Sequence, residues 1–118
     1  MNYEKRSVQD ALMRAWSLES AGQWTAENPA AGQCNVTALL VSELFGGRIL
    51  ATPVQGGLHF YNSVRGETID FTASQFEHPI NYEDLSAEQD EVRSGIAERE
   101  YEALKIRFLQ EYRDTTAF

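Results

Sequence analysis

Between Val36 and Phe45 the apolar residues Val36, Ala38, Leu39, Leu40, Val41, Leu44 and Phe45 fall on almost every side of a helical projection. A helix of that kind belongs in an interior, so the rest of the chain has to wrap it. The Gly46-Gly47 pair that follows supplies a left-handed cap and ends it. At its head, after Pro29-Ala-Ala-Gly-Gln33, stands Cys34, the only cysteine of the chain. Unsatisfied backbone N–H groups and the macrodipole at a helix start favour thiolate over thiol, which makes a cysteine placed there a candidate nucleophile. A lone cysteine is also among the most buried residue types and often serves as a small hydrophobe. Its partners decide between the two.

What surrounds this helix is expected to be one domain, residues 1–118. A chain of that length buries a single core without staples and has no room for a second, and no repeat, low-complexity tract or linker marks a boundary. Ser7 followed at the third position by Asp10 reads as a capping box. Val8, Ala11, Leu12, Ala15 and Trp16 continue from it at helical spacing, predicting an amphipathic helix over about 7–19. Residues 20–32, with Gly22, Gln23, Trp24, Asn28, Pro29 and Gly32, suit an irregular segment leading to Cys34. The last element, about 96–112, sets Ala97, Tyr101, Leu104, Phe108 and Tyr112 on one stripe among charges and is expected to close the core as a surface helix.

After Gly47 the pattern changes to strands: 48–55, a turn at Gly56-Gly57, 58–64, a turn at Arg65-Gly66, and 67–72, an antiparallel meander. Pro53 cannot donate to a ladder, so the first strand is on an edge or interrupted near that point. Thr72 reads as the N-cap of a short turn through Phe76, and the acidic run 82–93 as a solvated connection with no site in it.

The second hairpin brings chemistry to Cys34. A two-residue loop at Arg65-Gly66 pairs Val64 with Glu67; continued outward, the register sets Tyr61 opposite Asp70 and His59 opposite Thr72. His59 and Asp70 are then diagonal neighbours on one face, within roughly 7 Å. Leu58, Phe60, Ile69 and Phe71 form the opposite face, expected to be the apolar one. A helix-initial cysteine, a strand histidine and a neighbouring carboxylate are what nucleophilic thiol chemistry needs, with the histidine taking the proton and the acid fixing its tautomer. His78, before Pro79 in a turn-like context, is expected at the surface.

Cys34 at a helix start, with His59 and Asp70 following on successive strands, resembles the papain-like and transglutaminase-like cysteine enzymes in their Cys, His, Asp chain order. The segments NPAAGQCNVTALLV, FGGRIL, HFYN and IDFTASQF are similar to small uncharacterised bacterial proteins of the YunG type, over roughly residues 24–76. The resemblance implies an α+β fold with a papain-like or transglutaminase-like core: a central buried helix on a small antiparallel sheet, flanked by N- and C-terminal helices. It carries Cys34, His59 and Asp70 over as a catalytic triad. Papain-like enzymes place a Gln six residues before the Cys as oxyanion donor; Asn28 stands there in this chain, Gln33 is adjacent to Cys34, and Gln23 lies eleven earlier. All three are oxyanion candidates, with Asn28 before Pro29 also suiting a plain turn.

Eighteen acidic against ten basic side chains leave a net charge of −8, a balance that repels phosphate backbones and anionic lipid heads, so neither nucleic acid nor membrane is an expected partner. The opening MNYEKRSVQD has no apolar run of a targeting or spanning segment, and with one cysteine the expected location is the cytoplasm. Cys34, His59, Asp70 and His78 lack the close paired spacings of zinc sites, and Gly46-Gly47 follows a helix instead of opening one, so no metal and no nucleotide cofactor are expected. The expected function is thiol-dependent attack on an amide or related acyl group, leaving hydrolysis, deamidation and amide exchange open. The substrate is a small amide-bearing molecule or a protein partner. The alternative is a non-catalytic binding or partner protein that retains the fold.

Overall fold

The structure, a computed structural model, describes residues 1–116. In chain order the elements are α1 (Lys5–Ala15), α2 (Cys34–Phe45), β1 (Arg48–Val54), β2 (Gly57–Val64), β3 (Glu67–Ile69), a 3₁₀ turn (Ala73–Gln75), β4 (Leu85–Ala87), α3 (Gln89–Arg93) and α4 (Glu98–Thr116). The result is an α+β fold with one four-stranded sheet, all pairs antiparallel, in the order β3-β2-β1-β4. No described helix is long and apolar enough to cross a membrane.

The apolar run after Cys34 does what its composition demands. Every residue from Val36 to Ser42 is buried, and Gly46 and Gly47 follow at φ +82° each. At Gly47 a side chain would run into the Ser63 carbonyl oxygen, so glycine there serves the close approach of α2's exit to β2 as well as the cap. Phe60, Val64, Ile49 and Ala51 meet the helix from the sheet, while Asn62 Nδ2 donates to the Ala38 carbonyl at 3.0 Å. On the far side Tyr101, Leu104, Phe108 and Tyr112 of α4 close the core together with Val8, Ala11, Leu12 and Ala15 of α1. That matches the stripe expected of the last helix, although α4 begins at Glu98, two residues later than Ile96.

The first helix departs from the expected 7–19. Glu4 and not Ser7 is the cap: its carboxylate accepts from the Arg6 and Ser7 backbone N–H groups and from Ser7 Oγ, so Ser7 sits inside the first turn. At the other end Trp16 turns extended (φ −60°, ψ 139°). Its indole N–H donates to Thr37 Oγ1 of α2 at 2.9 Å, and Arg107 Nε takes the Ala15 carbonyl. Tertiary hydrogen bonds end this helix before its periodicity does.

The β2–β3 register is the one counted from the Arg65-Gly66 loop: Val64 faces Glu67, Ser63 faces Thr68 and Asn62 faces Ile69. Arg65 and Gly66 have φ +53° and +82°, the two left-handed centres of a type I′ turn. β3, however, stops at Ile69 where a strand to Thr72 was expected. Asp70 Oδ1 accepts from the Thr72 N–H at 3.1 Å and from Thr72 Oγ1 at 3.2 Å, a local side-chain turn that competes with the ladder and wins. Thr72 stands at the N-cap position of the 3₁₀ turn that follows, as expected, but its hydroxyl donates to Asp70 and accepts from Gln75 Nε2 and makes no cap hydrogen bond to the turn's backbone. The first hairpin closes around Gln55-Gly56, with Val54 facing Gly57, one residue earlier than the Gly56-Gly57 turn expected. β1 is an inner strand, but β4 pairs with it only over Ile49–Ala51, so Pro53 lies beyond the covered stretch and breaks no ladder bond there.

The acidic run 82–93 is more than a solvated connection. Leu85–Ala87 adds the fourth strand to the open edge of β1, and Glu88 with Glu91 forms a reciprocal capping box that starts α3. The two faces of the hairpin also differ from expectation. Phe60 and Phe71 are buried, yet Leu58 is 45% exposed, while the polar face with Thr52, His59 and Tyr61 is as deeply buried as the apolar one.

Candidate active site

His59 is the centre of the polar face. Its position third in β2 fixes its direction, its ring lies parallel to that of Tyr61 at 6.0 Å, and the edge of Phe76 meets it at 4.8 Å. The residue is 1% exposed. Its Nε2 is 2.7 Å from Asp70 Oδ2. A buried imidazole is normally held neutral, and burial does pull the His59 pKa down; the Asp70 hydrogen bond, the neighbouring Cys34 and the charge on Asp70 outweigh it and raise it to about 9. Burial likewise pushes Asp70 up, and the hydrogen bonds from His59, Tyr82 and Thr72 with the imidazolium charge bring it below the usual carboxylate range. Near neutral pH the pair is imidazolium and carboxylate.

Cys34 enters from the first position of α2. Its thiol is half-buried, near enough to His59 to favour the protonated ring both as a hydrogen-bond partner and through charge, and also within 3.1 Å of Asn35 Oδ1 as a donor. With Nε2 taken by Asp70, Nδ1 is the ring nitrogen left for the sulfur. The Cys34 backbone N–H belongs to the first helical turn and has no helical partner, and Gln33 gives α2 no side-chain cap. Cys34 and His59 both line an open groove of about 300 Å³, together with Gln23, Gly32, Gln75 and Phe76.

The three oxyanion candidates separate by what their amides do. Gln33 is fully buried, its Oε1 accepting from Ser20 Oγ at 2.8 Å and its Nε2 donating to the Ser17 carbonyl, so it ties α2 to the chain after α1. Asn28 Nδ2 donates to the Gln75 carbonyl, and its backbone closes a turn with Thr25. Gln23 is the candidate in the groove. Its side chain lies across Gly32, where φ is +74° and a Cβ would collide with it, and its amide has no hydrogen-bond partner among the described residues.

Sequence reasoning missed one participant. Tyr82, placed in the run treated as structure alone, donates its hydroxyl to Asp70 Oδ2 at 2.7 Å. Nothing local in the sequence marks it, because the contact crosses from an irregular segment to the end of a strand twelve residues earlier. His78 is exposed, as expected of it, and lies outside the groove. Among the described residues no group of three or more His, Cys, Asp or Glu side chains is arranged to hold a metal ion.

Comparison with known proteins adds sequence kinship. A family model described as "YunG protein" matches residues 4–113. An uncharacterized protein YunG of Bacillus subtilis (strain 168) is 41% identical over 101 residues, covering 86% of this chain and 88% of that protein. No solved structure matches the chain significantly.

Proposed function

The chain belongs to the YunG family, and from that premise we propose that Cys34, His59 and Asp70 are the working centre of a thiol-dependent acyl-transfer enzyme with a papain-like or transglutaminase-like core. The observation that carries the reading is the buried imidazole held between a carboxylate at Nε2 and a helix-initial thiol, in a groove open to solvent. A core histidine needs a hydrogen-bond partner; it does not need a thiol on its other side.

In this reading His59, protonated beside the Cys34 thiolate, leaves the sulfur free to attack the carbonyl carbon of an amide. The new C–S bond forms as the carbonyl electrons move onto oxygen, where the Cys34 N–H and the Gln23 amide are the available donors. His59 gives its proton to the amide nitrogen, the C–N bond breaks and the amine departs. Water, or an amine, then attacks the thioester, His59 takes the proton of the attacking atom, and the C–S bond breaks to restore the thiolate. Asp70 keeps the ring oriented and stabilises its charge throughout. Hydrolysis, deamidation and amide exchange differ only in the incoming and departing groups. The small groove suits a small amide-bearing substrate or an amide presented by a protein partner, and a free reactive thiol suits the reducing cytoplasm.

The test is covalent capture. Intact-mass spectra of the protein mixed with an activated neutral ester such as p-nitrophenyl acetate are expected to show one acetyl adduct on Cys34 that decays on further incubation. Cys34→Ala is expected to form none, and His59→Ala to slow its formation about 10²-fold or more. Labelling no faster than that of an exposed cysteine peptide, and insensitive to His59→Ala, would leave the binding-protein reading in its place.

A further inference from the structure

Tyr82 lies on a stretch with no regular structure, and yet five hydrogen bonds set the segment around it. Thr52, which faces His59 across the β1–β2 ladder, donates its hydroxyl to the Asn81 carbonyl at 2.6 Å and accepts from the Glu83 N–H at 3.0 Å. Tyr61, stacked on His59, donates to Asp84 Oδ1 at 2.6 Å and accepts from the Asp84 N–H at 2.8 Å. Asp84 takes φ +56°, a left-handed conformation that an aspartate tolerates at some cost. Tyr82 is the residue these anchors bracket. Its ring meets Tyr61 edge-on at 4.9 Å, and its hydroxyl supplies the fifth bond, to Asp70 Oδ2.

The carboxylate that receives it is fully subscribed. Oδ1 takes the Thr72 N–H and hydroxyl, Oδ2 takes His59 Nε2 and the Tyr82 hydroxyl, and these four donors match the four acceptor positions of a carboxylate. The Asp70 side chain itself is only 8% exposed. One of the other three donors, the Tyr82 hydroxyl, shares Oδ2 with the imidazole. A donor on that oxygen draws off charge that would otherwise act on His59, and so moderates the grip of the carboxylate on the protonated ring.

We propose that Tyr82 is a positioning residue of the Cys34–His59–Asp70 centre: carried on a segment that Thr52 and Tyr61 clamp to the sheet, it fixes Asp70 Oδ2 against His59 and sets how strongly the imidazole holds its proton. The inference deepens the thiol-enzyme reading and rests on it for its meaning, because only in that reading does the proton affinity of His59 set a rate. The ionisable groups around the site are His59, Tyr82 and Tyr61 about Asp70, with Cys34 on the other side of the imidazole. Tyr82 and Tyr61 are both raised, Tyr61 to about 12, first by burial and then by the carboxylates they bond, so neither ionises in the range where His59 titrates.

The experiment follows the His59 ring by NMR titration in the full chain, with His78→Gln in the background to leave one histidine signal. Tyr82→Phe keeps the ring against Tyr61 and removes only the hydroxyl. It is expected to raise the His59 midpoint by about half a unit to one unit, a threefold to tenfold gain in proton affinity. Thr52→Val, which frees Asn81 and Glu83, is expected to move it in the same direction by less. A packing role alone leaves the midpoint in place; an unchanged or lowered midpoint in folded Tyr82→Phe overturns the proposal. Acylation of Cys34 by the activated ester, followed in parallel in the parent protein, separates the two claims. Loss of Cys34 labelling with a Tyr82-dependent titration strikes the enzyme reading, and normal labelling with a Tyr82-independent titration strikes this one.

Discussion

The two faces of β2 are buried alike and built differently. Phe60, Asn62 and Val64 point to α2 and a core of Leu, Val, Ala and Phe, covered by helices whose apolar stripes are written in their periodicity. His59 and Tyr61 point the other way, under residues 76–84, a cover without regular structure held by Thr52, Tyr61 and Asp70 through named hydrogen bonds. The first face draws its stability from area removed from water, which is forgiving of chemistry and sensitive to volume. The second depends on each donor finding its acceptor, which is forgiving of little and sensitive to pH. A fold that only needed a core would gain nothing from the second arrangement, and that contrast is the physical reason for placing function on the face of His59.

The contrast predicts a graded response. The largest effect belongs to the helix face: Leu40→Ala, at a position 1% exposed, is expected to cost about 2 to 5 kcal/mol in urea melts at an unchanged m-value, with no dependence on pH between 5 and 9. A cost below about 1 kcal/mol would mean that α2 is less tightly packed than its burial indicates.

A smaller and pH-dependent loss is expected on the polar face. Asp70→Asn leaves the shape and removes the charge, at an expected cost of about 1 to 3 kcal/mol near pH 6. The signs follow from the two shifts. His59 is raised from 6.5 to about 9, so its contribution is complete below pH 6.5 and is lost as pH rises through about 9. Asp70 is lowered from 3.8, so its contribution is present above that value and is lost as pH falls through the depressed one. Stability is therefore expected to be highest from about pH 4 to 6.5 in the parent protein, and the decline from 6.5 to 9 to vanish in Asp70→Asn. Urea melts at half-unit intervals decide it; an unchanged decline would place its origin elsewhere.

The smallest effect is expected at the thiol itself. Cys34 is half-buried at a helix start and is absent from the apolar core, so Cys34→Ala is expected to change stability by less than about 1 kcal/mol in either direction. A loss comparable to that of Leu40→Ala would make the thiol a packing group.

How much of this was legible in the sequence follows the same division. The central helix, the last helix and the β2–β3 register were readable because each rests on a local rule: all-round apolarity, a stripe, and a two-residue loop of left-handed residues. That register sets His59 beside Asp70, and the two side chains meet at 2.7 Å. The elements misread are those settled by contacts between distant residues. α1 ends at Ala15 because Trp16 is pulled to Thr37, and β3 ends at Ile69 because Asp70 bonds Thr72. The acidic run yields a strand because β1 has an open edge to fill. Tyr82 belongs to that class too, aimed by hydrogen bonds from β1 and β2, whereas Gln23 is among the oxyanion candidates the sequence offers and only its place across Gly32 needs the structure.

The pairing of Cys34 with His59 is measured most directly by the rate of Cys34 alkylation by iodoacetamide across pH. An ion-paired thiolate is expected to alkylate at a substantial rate well below the free-cysteine pKa of about 8.5, and His59→Ala to return the rise in rate to that value. A rate that climbs only near pH 8.5 and runs unchanged through His59→Ala would contradict it.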